Sequence, residues 1–382
     1  MQSRVKPRLC IVSPYEHGGG AEYQISLLID ALHATGRYEL HYLAHFVDSP
    51  DRTRNYAVSQ VGRARDVPRL GFLMDAPTLY RRLCEIAPSL IYQRVACAYT
   101  GICALYARRR SVPFVWHLAH DTDAGPQVLD PSRNFVRVRL EKWAVAYGAR
   151  HATRIIVQTE HQSQLLQRHF ARRADAVIPN FHPPAAESID KSGPITVVWV
   201  ANLKPWKRPE AFLNLAESLG GYKGIRFIMI GAPAPKSGDR RWGEFVMRRI
   251  DGAKNLQYLG ARSQVEVNEL LGRAHIFVNT STHEGFPNTF IQAWLRQVAV
   301  VTLTVDPDGV LEQEQVGIVA HSEPGLTAAV RRLIDHPDVR SAYAERGRRH
   351  AEARHSIQNA HELIGLIDRC CGQAGSRGRH TP

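Results

Sequence analysis

Residues 276–294 read IFVNTSTHEGFPNTFIQAW. A short β-prone run, Ile276–Asn279, gives way to the polar stretch TSTHEG. A Gly–Phe–Pro turn follows, then an apolar helical pattern over Pro287–Arg296. Pro287 suits the first helical position, where a missing N–H costs nothing. A strand that feeds a helix through a polar loop is the building unit of an open parallel sheet.

The same unit recurs on both sides of this stretch. In the second half, Ile195–Val200, Ile225–Ile230, Leu256–Leu259 and Val298–Leu303 read as further strands. Helical patterns cover Pro209–Leu219, Gly243–Ile250, Gln264–Leu271 and Gly325–Asp335. In the first half, strands are expected at Leu9–Ser13, Leu40–His45, Leu90–Gln93, Pro113–Leu118, Arg154–Gln158 and Ala176–Pro179. Helices there fit Ala21–Ala34, Thr78–Ala87, Tyr99–Arg109, Arg133–Tyr147 and His161–His169. The polar, proline-containing stretch Pro183–Gly193 separates the two series and reads as a linker. The expected fold class is therefore α/β, with two Rossmann-like doubly wound domains, 1–185 and 194–355. The last eleven residues, GQAGSRGRHTP (372–382), lack an apolar pattern and are expected to be a disordered tail.

Composition agrees with a folded chain of this size. Its 382 residues exceed one comfortable core, and 44% hydrophobic with 22% charged residues excludes a fibrous or disordered protein. The six cysteines form no CxxC or Cys/His cluster, so a zinc site or disulfide framework is not expected. No apolar run is long enough to span a membrane, and the start MQSRVKPRLCIVSPY has no signal-peptide core, so a cytoplasmic protein is expected. The net charge of +13 leaves three kinds of partner open: nucleic acid, an anionic membrane surface, or a phosphorylated substrate.

In open α/β sheets, ligands sit beyond the carboxyl ends of the strands. Four loops there carry chemistry. Pro14–Glu22 (PYEHGGGAE) places Gly18, Gly19 and Gly20 before a helix start, where the backbone can approach a phosphate or sugar hydroxyl. A plain strand-to-helix turn is the other reading of that glycine run. Trp116–Asp123 (WHLAHDTD) carries His117 and His120 with Asp121 and Asp123, but nothing else in the chain completes a metal site. A structural, hydrogen-bonding histidine is the competing reading there. Val200–Pro209 (VANLKPWKRP) supplies Lys204, Lys207 and Arg208 just before a helix, cations suited to a departing diphosphate, or else a solvated basic turn. The fourth loop is the one quoted first. Its helix start aims the amides of Asn288 and Thr289 at an anion, with Glu284 before it and Gln292 in its second turn.

These residues resemble a family 4 glycosyltransferase of the GT-B fold, and the resemblance covers nearly the whole chain. It rests on GGGAE after the first strand, the His120–Asp121 pair, VIPNFHP (177–183), ANLKPWKRP and HEGFPNTFIQAW. Members of that family hold a nucleotide sugar in a cleft, mostly through the second domain, while the acceptor binds the first. They retain anomeric configuration and usually need no metal. The resemblance implies that Glu284, His120 and Lys207 act at the reacting sugar and its phosphate. It also implies donor binding by Gly19, Gly20, Asn202, Lys204, Gly285, Phe286, Pro287, Asn288, Thr289 and Gln292. A closing helix, 356–371, would pack back on the first domain. Two positions depart from the family pattern. Gln292 stands where the family carries the second Glu of its pair, the one that binds the ribose. Asn202 stands where it carries an Arg, and Lys204 lies two residues on.

The expected reaction is thus retaining transfer from a nucleotide-sugar co-substrate, with no metal or other cofactor, to a glycan or lipid-linked glycan. Other readings are a further GT-B enzyme such as a sugar-nucleotide epimerase, or a non-catalytic binding subunit. Nucleic acid ranks last, because no recognised binding motif accompanies the charge. That charge is concentrated: residues 52–150 carry 16 Lys+Arg against 7 Asp+Glu. Within them the expected helix Arg133–Tyr147 mixes Arg137, Arg139 and Lys142 with Trp143. It is either an amphipathic helix for an anionic membrane at the inner face, or a core helix with a basic solvated side.

Overall fold

A computed structural model describes residues 6–16, 18–47, 53–63, 71–125, 135–185, 191–233 and 240–377. The chain divides into two units: Met1–Phe181 together with Ile357–Pro382, and His182–Ser356.

The first unit begins β1 (Arg8–Tyr15), α1 (Gly20–Thr35), β2 (Glu39–Phe46) and β3 (Ala57–Gln60). It continues α2 (Ala76–Ile86), β4 (Leu90–Arg94), α3 (Ala98–Arg110), β5 (Phe114–His117) and α4 (Asp121–Ala124). It closes with α5 (Phe135–His151), β6 (Arg154–Val157), α6 (Glu160–Phe170) and β7 (Ala176–Val177). Its seven parallel strands lie in the order β3-β2-β1-β4-β5-β6-β7. Central β1 (RLCIVSPY) is buried along almost its whole length, as a strand covered on both faces must be. Cys10 and Val12 enter one core layer, while Leu9 and Ile11 enter the other.

The second unit runs β8 (Ile195–Val200), α7 (Pro209–Ser218), β9 (Ile225–Ile230), α8 (Arg240–Gly252), β10 (Leu256–Tyr258) and α9 (Gln264–Arg273). Next come β11 (Ile276–Asn279), α10 (Asn288–Leu295), β12 (Ala299–Thr302), α11 (Val310–Gln313), β13 (Gly317–Val319), α12 (Glu323–Asp335) and α13 (Pro337–Arg354). Six parallel strands form its sheet in the order β10-β9-β8-β11-β12-β13. The final helix, α14 (Gln358–Arg377), belongs to the first unit. There its Leu363, Ile364 and Ile367 bury against the layer that holds Leu9, Ile11 and Leu32.

Several elements differ from the sequence expectation, each for a physical reason. Edge strands β3 and β13 have only a few residues and little burial, so no apolar run announces them. Helix α13 buries only Ala344, Gly347, His350 and Ala351, too sparse a stripe for a periodic signal. Gly347 is there because Trp294 lies against it: a Cβ would sit 2.2 Å from Trp294 Cδ1. The first unit stops at Phe181 rather than at 185. His182 N–H donates to His355 O at 2.9 Å and Ala185 packs in the second unit's core, which draws residues 182–185 across. The expected tail is in part helix, since α14 continues through 372–377; residues 378–382 lie outside the described ones.

In each sheet the order reverses once, between β1 and β4 in the first unit and between β8 and β11 in the second. Ligands of doubly wound sheets gather at this switch point. The loops after β1, β8 and β11 are three of the four singled out from sequence.

Candidate active site

In the second unit, the β8 and β11 loops are fastened to one another. Thr280 accepts from Trp199 Nε1 at 2.9 Å and donates to Lys207 O at 2.6 Å. Thr282 N–H donates to Trp206 O at 2.8 Å. The fastening brings Lys207 Nζ onto Glu284 Oε1 as an ion pair, with Ser281 Oγ donating to the same oxygen at 2.7 Å. The side chains of Lys207 and Glu284 are 20% and 10% exposed, so the pair stands at the surface of the loop without being loose in solvent. One residue earlier in each loop, Trp206 and His283 stack at 6.2 Å and 20°. An inner ion pair thus carries an outer aromatic stack.

Beyond Glu284 the chain passes Gly285 and Phe286 into α10. Phe286 is buried against His355 and Trp294, which anchors the turn. Pro287 caps α10, and Asn288 and Thr289 form its first turn, whose N–H groups a helix cannot pair internally. His182, buried and absent from the sequence expectation, reaches Asn288 Oδ1 with Nε2 at 3.3 Å. Burial holds its ring neutral, pushing its pKa down to about 4, although the Asn288 bond works the other way. The only sequence signal for His182 was its place in VIPNFHP.

Three expected donor-binding residues have structural employment. Asn202 Oδ1 accepts from Ala232 N–H at 3.1 Å, tying the β8 loop to the β9 loop. Gly231 makes that contact achievable: its φ is +155°, and a Cβ would fall 1.7 Å from Ala201 O. Lys204 stands over the Trp206 ring, with Nζ 5.0 Å from the centroid. Gln292 is buried and gives Nε2 to Gln264 Oε1 at 3.0 Å and Asn268 Oδ1 at 2.9 Å, partners on α9 that the sequence did not suggest.

In the first unit, the glycine loop after β1 turns through Gly18 at φ +123° and caps α1 with Gly19 in extended conformation. A Cβ on Gly19 would lie 2.5 Å from Glu22 Oε2. Glu16, just before the glycines, is buried and bidentate with Arg54, and it also accepts from Tyr56 at 2.6 Å. His120 caps α4, its Nδ1 accepting from Thr122 N–H at 3.2 Å. Asp123 collects the amides of Ala96, Ala119 and His120; burial raises its pKa, and those amides oppose the rise. Asp121 accepts from Gln162. The Asp121–Asp123 spacing is therefore a helix cap, and Asp306–Asp308 is a turn in which Asp306 caps α11. His117 is buried and kept neutral by burial and by Arg94, its Nδ1 accepting from Tyr92 OH at 2.8 Å. Arg94 is itself buried on Asn180 Oδ1.

On α5 the core side is Ala144, Val145 and Ala149. Arg139, Leu140, Lys142 and Trp143 are exposed, Trp143 by 67%, stacked on Tyr147 at 5.6 Å. The Arg137 side chain lies outside the described residues.

Two family models match the chain. Residues 19–180 match a "Glycosyl transferase 4-like domain" and residues 194–336 match "Glycosyl transferases group 1". Among curated proteins none matches. Among solved structures, sucrose-phosphate synthase from Thermosynechococcus elongatus is similar, with a TM-score of 0.75 and 15% identity over 97% of this chain and 100% of that one. Anabaena HepE in complex with UDP and glucose follows at 0.74 and 16%, over 94% and 99%. WaaG, a glycosyltransferase involved in lipopolysaccharide biosynthesis, gives 0.72 and 15% over 94% and 99%. Identities this low speak for the fold, and the family models for the family. With both sheets and both family models in agreement, the chain belongs to the family 4 glycosyltransferases of the GT-B fold.

Proposed function

We propose that this glycosyltransferase moves a sugar from a nucleotide sugar to a glycan or lipid-linked glycan of cell-surface polysaccharide or glycolipid synthesis, with retention and without a metal. The observation that carries the proposal is the Lys207–Glu284 pair, set beside the α10 start on the two strands that flank the second sheet's switch point. A nucleotide sugar offers matching chemistry: hydroxyls for Glu284, and a diphosphate for Lys207 and the helix amides. HepE of Anabaena has been solved with UDP-glucose, which supports this class of donor.

Retention follows from a front-face displacement. The bond from sugar C1 to the phosphate oxygen breaks while the bond to the acceptor oxygen forms on the same face. The departing phosphate oxygen takes the acceptor's hydroxyl proton, and the nucleoside diphosphate leaves. No separate base is needed. Lys207 and the α10 amides stabilise the charge that develops on the leaving group, each contact worth about 2–4 kcal/mol in the transition state. Glu284 positions the sugar.

An acceptor at an anionic membrane surface is the reading supported by α5, whose exposed Arg139, Lys142, Leu140 and Trp143 combine cations with an aromatic suited to an interface. No helix among the described residues is long and apolar enough to cross a membrane.

A panel of UDP-, GDP- and ADP-sugars in thermal melting tests the donor. A true donor at about 100 times its Kd adds roughly 2.7 kcal/mol of stability, and no stabilisation by any of them overturns the reading. Co-sedimentation with phosphatidylglycerol vesicles tests the surface. Salt-sensitive binding, weakened by Trp143→Ala, is expected; salt-insensitive or absent binding removes the membrane from the proposal.

A further inference from the structure

Glu284 and the first-turn amides of α10 lie on either side of a short turn, Gly285–Phe286–Pro287. Glycine offers no side chain to anchor that turn, and proline has no N–H to tie it. Phe286 supplies the anchor: its ring is buried, with its centroid 4.5 Å from that of His355 and 6.1 Å from that of Trp294. Just past the proline, Asn288 Oδ1 is met by His182 Nε2 at 3.3 Å. A carbonyl oxygen can only accept, so Nε2 carries the proton of this neutral ring and donates. The two histidines are also tied to each other, His182 N–H donating to His355 O at 2.9 Å. Both are buried, and neither lies on α10 or on the β8 and β11 loops. His182 is the first residue of the second unit and His355 the last but one, so they stand where the chain enters that unit and where it leaves.

We infer that His182 and His355 are positioning residues for the diphosphate: His182 sets Asn288 and the first turn of α10, and His355 sets Phe286 and with it the turn that carries Glu284. The inference rests on the donor reading above. Neither histidine touches the ligand. A helix start binds an anion through N–H groups of fixed direction, so affinity depends on that turn being in place before the ligand arrives. Without the His182 ring, the Asn288 amide loses the bond that orients it from behind. Without the His355 ring, a void opens beside Phe286, and buried groups relax into such voids. Trp294 cannot follow to fill it, because its Nε1 donates to Val316 O at 2.8 Å and its ring lies against Gly347. One bonded pair of histidines therefore holds the turn on both sides of Pro287.

Calorimetric titration of the full chain with UDP, GDP and ADP, each beside its nucleoside, tests this. His182→Ala and His355→Ala are each expected to weaken the best diphosphate about tenfold. The matching nucleoside, which carries no phosphate, should bind both variants within about twofold of wild type. Conservative replacements should restore the diphosphate: His182→Gln keeps an N–H for Asn288 Oδ1, and His355→Phe keeps a ring against Phe286. Melting curves show which variants fold, and the two positions are read independently, so one that fails to fold leaves the other to decide. If the alanine variants bind the diphosphate as wild type does, or lose nucleoside and diphosphate equally, the positioning role is refuted while the donor site stands. Failure of the conservative replacements to restore binding refutes it as well. If the wild type binds no diphosphate at all, the donor reading falls and the positioning role falls with it.

Discussion

The two units share an architecture and use it differently. In the first, charged side chains near the strand ends are absorbed into the structure: Glu16 by Arg54 and Tyr56, Asp123 by three amides, Arg94 by Asn180. What its switch-point loop presents is backbone, at Gly18–Gly20. In the second, the charged residues of the equivalent loops, Lys207 and Glu284, pair with each other across the switch point and remain partly exposed. Charges buried into the fold and charges that pair with each other at a loop, with some exposure left, are different designs. The first leaves little charge to the surface of its loop; the second keeps a cation and a carboxylate side by side at the switch point.

Substitutions can break this contrast. The largest effect is expected from Glu16→Ala, which strands the Arg54 guanidinium, itself only 5% exposed. Removing one partner of a buried pair costs about 3–5 kcal/mol. Chemical denaturation should show that loss, while kcat per folded molecule stays near wild type. A collapse of kcat at unchanged stability would make the first unit's charges functional and erase the distinction. Next come Glu284→Ala and Lys207→Ala, each expected to cut kcat/KM by about 100-fold or more, or about 2.7–4 kcal/mol. Their loss of stability should be smaller than that of Glu16→Ala, because this pair is less buried than Glu16 and Arg54. Wild-type kcat/KM in either variant would remove that residue from the site.

A smaller effect sharpens the picture through pH. His182 is neutral in the fold with a pKa of about 4, against an ordinary 6.5. The unfolded chain therefore takes up the proton first. Stability is complete above about pH 6.5, falls as the pH drops towards 4 by about 3 kcal/mol at most, and is level below that. His182→Gln should flatten this part of the melting-temperature profile. An unchanged slope would show that acid acts elsewhere.

Sequence made the sheets legible because central strands such as β1 and β8 are continuous apolar runs, and the loops legible because Gly, Pro and charge cluster beyond them. It missed β3, β13 and α13, whose burial is too slight to leave a period. The loops of the site were visible one at a time. The Lys207–Glu284 contact, between residues 77 apart, exists because β8 lies beside β11, an order that spacing along the chain does not encode. Gln292 looked like a lost acid for a related reason: its partners Gln264 and Asn268 carry no motif. Lys204 and Asn202 were read by charge and position, whereas an aromatic ring and a neighbouring loop decide their geometry.

Helix α14 has a consequence for the order in which the protein is made. Its Ile364 and Ile367 complete a core layer begun by Leu9 and Ile11, more than three hundred residues upstream. Residues 182–356 are contiguous, and they leave the ribosome before that helix does. During vectorial synthesis the later unit is thus the first to have its whole chain in hand. The earlier one waits with one face of its sheet covered only in part, by α1, until translation reaches the end of α14, a window in which a chaperone, or a neighbouring nascent chain, meets exposed apolar surface.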